Sequence, residues 1–245
     1  MTKADELLIE IARCKNYSKD EDCRVIYDKQ LQADKHLPEP WNGDIENSPI
    51  LFISSNPSIN VNERYPLFKW EDEEIIDFFK NRFSNEGKYV RDYKYPRILS
   101  EDLNTFVYEK NWVRNWSWVR KRSEELLERT SIPGKDYTLM EIVRCKSEGE
   151  KGVTEAMKKC ADNYLEKTLQ LSKAKVIIAV GSIAEKKLSK RYNLNFEPMT
   201  IIEREIEGRN RIIFASPHSN ARGKRTMSAI LNEESLNAVR DRLKE

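Results

Sequence analysis

The chain has few of the features that mark membrane, secreted or strongly basic proteins. Across its 245 residues no apolar run approaches the length that crosses a bilayer, and the first residues carry no secretory signal. The formal net charge is only +2, which does not by itself indicate a nucleic-acid partner; a local basic patch is sufficient for one. We therefore expect a cytoplasmic protein with no membrane partner.

Cysteine and histidine are also scarce, with four cysteines and two histidines in the chain. In the cytoplasm four cysteines are more often reduced thiols or metal ligands than disulfides. They form two pairs, Cys14-x8-Cys23 and Cys145-x14-Cys160. A tetrahedral set of four cysteines suits an iron–sulfur cluster or a structural zinc, and it would fasten the N-terminal segment to the rest of the protein. The alternative is four separate buried thiols.

A short apolar run that turns abruptly polar organises the rest of the chain. Residues 50–53 are unbroken apolar and rich in β-branched side chains, which predicts a strand buried on both faces. Ser54-Ser55-Asn56-Pro57-Ser58 follows directly. Pro57 keeps Asn56 out of the helical region, so the Asn56 amide is held in an extended turn. In open α/β sheets the ligand crevice lies beyond such strand ends, although a turn can also simply end a core strand.

The alternation of strand and helix patterns gives the expected fold class. Apolar runs predict strands at residues 50–53, 137–143, 174–180, 199–205 and 211–215. Helical spacing predicts helices at 4–13, 71–83, 152–171, 183–190 and 226–243, whereas 85–100 are expected to form a loop. We predict a three-layer α/β/α sandwich with a central, mainly parallel, four-stranded sheet.

No repeat or low-complexity tract divides the sequence. We therefore expect one domain over residues 1–245. An N-terminal extension, about residues 1–45, carries the first cysteine pair.

Polar side chains lie in or directly after three of the predicted strands, and their order resembles a known family. Asn56 follows the first strand, Glu141 lies within the second, and Ser216-Pro217-His218 follows the last. Over roughly residues 10–230 the set resembles the uracil-DNA glycosylase superfamily. Residues 54–58 are similar to the Gly-x-Asn-Pro-Gly motif of its mismatch-specific and single-strand-selective branches, with serine in place of both glycines. Residues 216–220 are similar to the family's His-Pro-Ser loop, with histidine and serine exchanged about the proline.

Other residues place the resemblance nearest the iron–sulfur branches of that superfamily. Phe68 lies eleven residues after Pro57, where those branches have the aromatic that stacks on the flipped base. The second cysteine pair, with the strand and helix that follow it to residue 188, is also similar. By this resemblance Cys14, Cys23, Cys145 and Cys160 hold a [4Fe–4S] cluster, with structural zinc or no metal as the alternatives. The first pair is wider than the short one usual in those branches.

The resemblance implies a DNA glycosylase that hydrolyses the N-glycosidic bond of a flipped damaged base, uracil or another deaminated or altered base, in base excision repair. Asn56 would orient the attacking water through its carbonyl oxygen, and His218 would donate a hydrogen bond to the leaving base. Base binding falls to Ser55, Phe68 and Glu141, and DNA contact to Ser219, Asn220, Arg222, Lys224 and Arg225. The expected partner is DNA containing a damaged base, bound by a monomer.

Glu141 stands where the iron–sulfur branch has an asparagine. An ionised carboxylate offers only acceptors, whereas uracil presents an N–H beside a carbonyl. The mismatched pair costs on the order of 1–3 kcal/mol in a buried pocket, unless burial protonates Glu141. The alternative is a Glu141 that pairs with Arg144 and meets no ligand. We expect Glu141 to lie in the pocket and uracil not to be the best substrate.

Two other functions stay open at this point. The departures from the family motifs leave open a catalytically inactive relative that binds DNA or a nucleotide through the same crevice. These departures are at Ser54, Ser58, Glu141 and Ser216. The cysteines alone also fit an unrelated iron–sulfur or zinc protein of Rossmann-like form.

Overall fold

A computed structural model describes residues 1–29, 36–58, 63–83, 88–91, 96–99, 106–107, 113–221 and 226–245. The helices of these segments are α1 (Lys3–Ala12), α2 (Asn16–Lys19), α3 (Glu21–Lys29), α4 (Asp72–Asn81), α5 (Arg114–Leu127), α6 (Val153–Leu171), α7 (Gly181–Tyr192), α8 (Met227–Ile230) and α9 (Glu233–Lys244). The strands are β1 (Ile50–Ser54), β2 (Val90–Arg91), β3 (Arg97–Leu99), β4 (Phe106–Val107), β5 (Tyr137–Glu141), β6 (Val176–Val180), β7 (Ile202–Ile206) and β8 (Arg209–Ser216).

The central sheet of the described chain has the strand order β5-β1-β6-β8-β7. Its first four strands are parallel to one another, and β7 runs antiparallel to β8. The prediction of a mainly parallel sheet is confirmed, but the sheet has five strands rather than four. The fifth, β7, is joined to β8 by the two-residue turn Glu207-Gly208, where both φ angles are positive, as a tight hairpin requires.

Helices cover both faces of this sheet, as a three-layer sandwich requires. Leu51 and Ile53 of β1 point into a core shared with α1, α4, α6 and α7. Ile50 and Phe52 of the same strand point into a second core, shared with α5, α8 and α9. Alternate residues of a strand face opposite sides, so an unbroken apolar run fits burial on both faces.

The prediction of a loop over residues 85–100 is wrong in the described part of that segment. β2 and β3 pair with each other there, and β3 also pairs with β4, forming a small antiparallel sheet. Val90 and Ile98 are buried in it. Strands of two or three residues are too short to show alternation in the sequence, so the pattern around them appears merely polar.

The ends of the chain pack onto the sandwich through helices. α3 lies against α6, and the closeness of this contact explains Gly152, which has a φ of +80°. A Cβ there would lie 2.9 Å from the Ile26 backbone nitrogen. At the other end, the single helix predicted over 226–243 is two helices, α8 and α9. Asn232 separates them and caps α9 by accepting from the Ser235 N–H. None of the helices in the described segments has the length and apolar composition of a membrane span.

Candidate functional site

A cavity of about 610 Å³ opens at the carboxyl edge of the central sheet. Parallel strands end at the same edge, so the segments that follow β1, β5 and β8 converge there. The structure brings six of the sequence-predicted site residues to the walls of this cavity. They are Ser55, Asn56, Glu141, His218, Ser219 and Asn220. The volume lies within the range that binds small organic ligands, a nucleobase included.

Asn56 is half-buried in the turn after β1, and its amide is fixed in one orientation. Nδ2 donates to the Ser147 hydroxyl at 2.6 Å and to the Pro57 carbonyl at 3.0 Å. The exchanged orientation would direct Oδ1 at the Pro57 carbonyl, where two acceptors would face each other, so the contact with Pro57 determines which end of the amide points where. Oδ1, which accepts from the Ser55 hydroxyl at 3.3 Å, is therefore the defined acceptor at the cavity wall.

Ser147 is a functional candidate that the sequence analysis missed. Its backbone N–H donates to the Pro57 carbonyl at 3.0 Å, which ties the loop after β5 to the turn that holds Asn56. Ser58 and Ser147 also form an isolated parallel bridge. Ser147 belongs to no recognisable sequence motif, so only the folded structure reveals its contact with Asn56.

His218 is exposed at the cavity on the segment that follows β8. Its Nδ1 accepts from the Asn220 backbone N–H at 3.3 Å, which leaves the proton of a neutral imidazole on Nε2. Ser216 occupies the place of the histidine in the resembled motif, but it is buried at the end of β8. The exchange about Pro217 therefore leaves a histidine N–H donor at the cavity.

Four charged residues form a buried cluster that also lines the cavity, hereafter the charged cluster: Glu39, Glu63, Arg82 and Lys146. Arg82 donates to Glu39 at 3.1 Å and also to Glu63, and Lys146 donates to Glu63 at 3.3 Å. Burial raises the pKa of Glu63, but the two cations outweigh it and hold that pKa below the ordinary value. Two anions and two cations thus satisfy one another, as buried charges require.

Glu141 is the last residue of β5 and lies beside Ser54 of β1 in the sheet register. Its residue surface is only 6% exposed. Oε1 accepts from the Ser54 hydroxyl at 3.4 Å, whereas Oε2 has no hydrogen-bond partner among the described residues. Burial, reinforced by the charge of Glu39, raises the pKa of this carboxyl to about 8. Glu141 therefore keeps its proton at neutral pH.

The structure does not bring Phe68 to this cavity. Phe68 is 47% exposed, and its carbonyl accepts from Arg13 beside α1, at 3.0 Å. Among the described residues that line the cavity, the aromatic side chain besides His218 is that of Trp116 of α5, which is half-buried. The Arg82 guanidinium lies 4.6 Å from the centroid of its ring, and Phe83 meets it edge-on, also at 4.6 Å.

The predicted DNA-contacting residues are divided between described and undescribed parts of the chain. Ser219 and Asn220 lie at the cavity, whereas Arg222, Lys224 and Arg225 fall outside the described residues. Arg114, the first residue of α5, is exposed and also lines the cavity. A cation there suits contact with a phosphate of bound DNA.

The four cysteines lie around a second, much smaller cavity of about 10 Å³. Cys14 follows α1, Cys23 belongs to α3, Cys145 follows β5 and Cys160 belongs to α6. The Arg144 N–H donates to the Cys160 sulfur at 3.3 Å, and the Tyr164 hydroxyl donates to the Cys14 sulfur at 3.0 Å. Within the described ranges, no three Cys, His, Asp or Glu side chains already stand at the spacing of metal ligands.

Comparison with known families and proteins adds to this geometry. The family model described as the Uracil DNA glycosylase superfamily matches residues 40–244. The matched range contains the strand ends that meet at the 610 Å³ cavity, together with Cys145 and Cys160. It begins after Cys14 and Cys23. Comparison with curated proteins gives no match.

Proposed function

Because the chain belongs to the uracil DNA glycosylase superfamily, we propose that it hydrolyses the N-glycosidic bond of a damaged base flipped out of DNA, as in base excision repair. The observation that carries the proposal is the pairing of a fixed amide and a histidine at one cavity. Asn56 and His218 follow different parallel strands and both line the 610 Å³ cavity. One presents an acceptor and the other a donor, which are the two polar functions that this hydrolysis needs.

Asn56 serves the attacking water. In the reaction a water adds to the sugar carbon C1′, the C1′–N bond breaks, and the base leaves with the bonding electron pair while a proton passes to solvent. An amide is not a base at neutral pH, so the contribution of Asn56 is orientation through Oδ1. The hydrogen bonds from Nδ2 to Ser147 and Pro57 hold that oxygen in place before the substrate arrives.

His218 serves the leaving base. As the bond breaks, negative charge develops on the base, and an N–H donor directed at a base carbonyl stabilises it. With Nδ1 engaged by the Asn220 N–H, the neutral ring supplies this donor from Nε2. Loss of one such donor costs on the order of 10²–10³ in rate.

Trp116 replaces Phe68 as the proposed aromatic contact of the flipped base. A base leaves the helical stack at a cost in stacking energy, which an aromatic wall in the pocket offsets. Trp116 lines the cavity and is held by Arg82 and Phe83, so its ring position is fixed. Phe68 lies beside α1 and lacks this placement.

Cys14, Cys23, Cys145 and Cys160 would hold an iron–sulfur cluster, with zinc as the alternative. Four cysteine sulfurs can bind either an iron–sulfur cluster or a zinc ion, and the Arg144 N–H that donates to the Cys160 sulfur would stabilise a thiolate ligand. The cavity of about 10 Å³ has room for a single small ion, and a four-iron cluster would need more space between the four sulfurs. A bound metal would supply a cross-link between the N-terminal helices and the loop after β5. Iron, sulfide and zinc contents of anaerobically purified protein separate the alternatives.

A panel of DNA duplexes tests the proposed function. Each carries one uracil, hypoxanthine or alkylated base, and excision is detected as strand cleavage by alkali at the resulting abasic site. We expect cleavage of at least one member of the panel by the wild type, and none of an undamaged duplex. Binding of the damaged duplexes without any alkali-labile site would instead identify an inactive relative that binds DNA.

A further inference from the structure

We propose that Glu141 reads the flipped base as a neutral carboxylic acid and selects bases whose edge presents one N–H donor beside one carbonyl acceptor. Uracil has such an edge at N3 and C4, and hypoxanthine has one at N1 and C6. The inference rests on the proposed function, since it assigns the substrate class of the same cavity. It also revises the expectation that uracil suits this site poorly, which held for the ionised carboxylate.

The position of the carboxyl group supports this role. β5 and β1 are paired through Glu141 and Ser54, and the next residue continues the contact by donating from the Ile142 N–H to the Ser54 carbonyl at 2.9 Å. The side chain is thus fixed at the cavity wall. Oε2 is buried and has no partner among the residues that the structure describes. Buried polar atoms nearly always have partners, so an unpartnered one at a cavity marks a place for a ligand atom.

The charges around Glu141 determine its protonation. Arg82 and Lys146 are engaged by the carboxylates of Glu39 and Glu63 within the charged cluster. Arg144 directs its guanidinium to the Pro40 carbonyl and the Thr168 hydroxyl. Glu141 is therefore an additional acid beside groups that already satisfy one another. Burial and Glu39 raise its pKa to about 8 against the opposing influence of Arg144, Arg82 and Lys146.

The neutral acid has the polarity that such a base edge requires. The Ser54 hydroxyl donates to Oε1, which marks Oε1 as the acceptor and leaves the proton for Oε2. The Oε2–H can donate to the base carbonyl while Oε1 accepts from the base N–H. The ionised form would direct a second acceptor at the carbonyl. It suits two adjacent donors instead, such as the N1–H and amino group of a guanine derivative. Base preference should therefore change as the pH passes about 8.

A binding experiment tests this reading without depending on catalysis. The probes are two duplexes that resist cleavage because the sugar carries a 2′-fluoro group, one with uracil and one with N3-methyluracil, which lacks the N–H. At pH near 7 we expect the wild type to bind the uracil duplex about tenfold more tightly. At pH near 9 the ionised Glu141 faces the base carbonyl with a second acceptor, so the wild type should bind the uracil duplex up to about tenfold more weakly than at pH near 7. Glu141→Gln presents one donor and one acceptor at every pH, so its affinity for the uracil duplex should change much less between the two values.

Two control variants separate an effect of the Glu141 carboxyl from a general effect of removing a charge. Glu205→Gln, an exposed substitution on β7, should behave as the wild type. Glu141→Ala should show no preference at either pH. A uracil affinity that falls between the two pH values no more in the wild type than in Glu141→Gln, or a folded Glu141→Gln protein that shows no preference for uracil over N3-methyluracil, would overturn the inference. Cleavage of the same duplexes without fluorine is scored separately, so its absence counts against the proposed function and not against base reading.

Discussion

Replacing Glu141 by glutamine removes a proton equilibrium that couples the folding of this protein to pH. In the folded chain burial raises the pKa of Glu141 from an ordinary value of 4.5 to about 8. Below pH 4.5 the carboxyl is protonated in both the folded and the unfolded states, and its stabilising contribution is fully present. Between 4.5 and 8 the unfolded state loses the proton while the folded state keeps it, so stability falls as pH rises.

The magnitude follows from that difference in pKa. Each pH unit corresponds to about 1.36 kcal/mol, so the free energy of unfolding should fall by up to about 5 kcal/mol across the window. This is comparable with the whole stability of many domains, about 5–15 kcal/mol. The Glu141→Gln protein lacks the equilibrium and should become progressively more stable than the wild type as the pH rises.

Urea unfolding followed by tryptophan fluorescence measures the effect at about pH 5, 7 and 9. The quantity of interest is the difference in unfolding free energy between Glu141→Gln and the wild type at each pH. Both proteins contain His36 and His218, so the histidine contributions cancel in that difference. Two parallel curves of unfolding free energy against pH would refute a raised Glu141 pKa.

Three further predictions concern the cavity and the cysteines. Ser147→Ala removes a hydrogen bond that orients the Asn56 amide, so single-turnover excision should slow on the order of tenfold while the DNA affinity stays unchanged. Ser147→Thr keeps the hydroxyl and should retain the wild-type excision rate. Trp116→Ala should weaken binding of a damaged duplex by about 1–3 kcal/mol, and Phe68→Ala by less, in titrations of labelled DNA. Cys145→Ser should lower both the bound metal content and the thermal midpoint; an unchanged metal content would argue against the four-cysteine site.

The strand ends of the site could be predicted because they depend on local patterns. Unbroken apolar runs locate β1, β6 and the second half of β8, and a largely apolar stretch locates β5. Parallel strands end at one edge of the sheet whatever the details of packing. Asn56, Glu141 and His218 each follow or end such a run, so their meeting at one cavity required no knowledge of the loops.

The charged cluster could not be predicted in this way. Its four members belong to four separate segments of the chain, and each has the sequence surroundings of an ordinary surface charge. Only the tertiary packing buries Glu39 with Arg82 and Glu63 with Lys146. The raised pKa of Glu141 depends on that packing as well, since it arises from burial and the neighbouring Glu39.

The family resemblance predicts the aromatic contact at Phe68, because Phe68 lies eleven residues after Pro57. The segment that contains Phe68 packs beside α1 because Arg13 binds its backbone and Asp72 together. Trp116 reaches the cavity instead, from the first turn of α5. Sequence spacing fixes the distance along the chain, but it does not determine the direction in which a long connection runs.

The most direct test of the proposed function is single-turnover excision by Asn56→Ala, measured beside DNA binding on the best substrate of the panel. Asn47→Ala is the matched control, because Asn47 is exposed near the amino end of β1, away from the 610 Å³ cavity. Asn56→Ala should lower the rate by on the order of 10²-fold or more with little change in affinity, and Asn47→Ala should change neither. Equal losses of rate and affinity in Asn56→Ala, or an unchanged rate, would contradict a water-orienting Asn56.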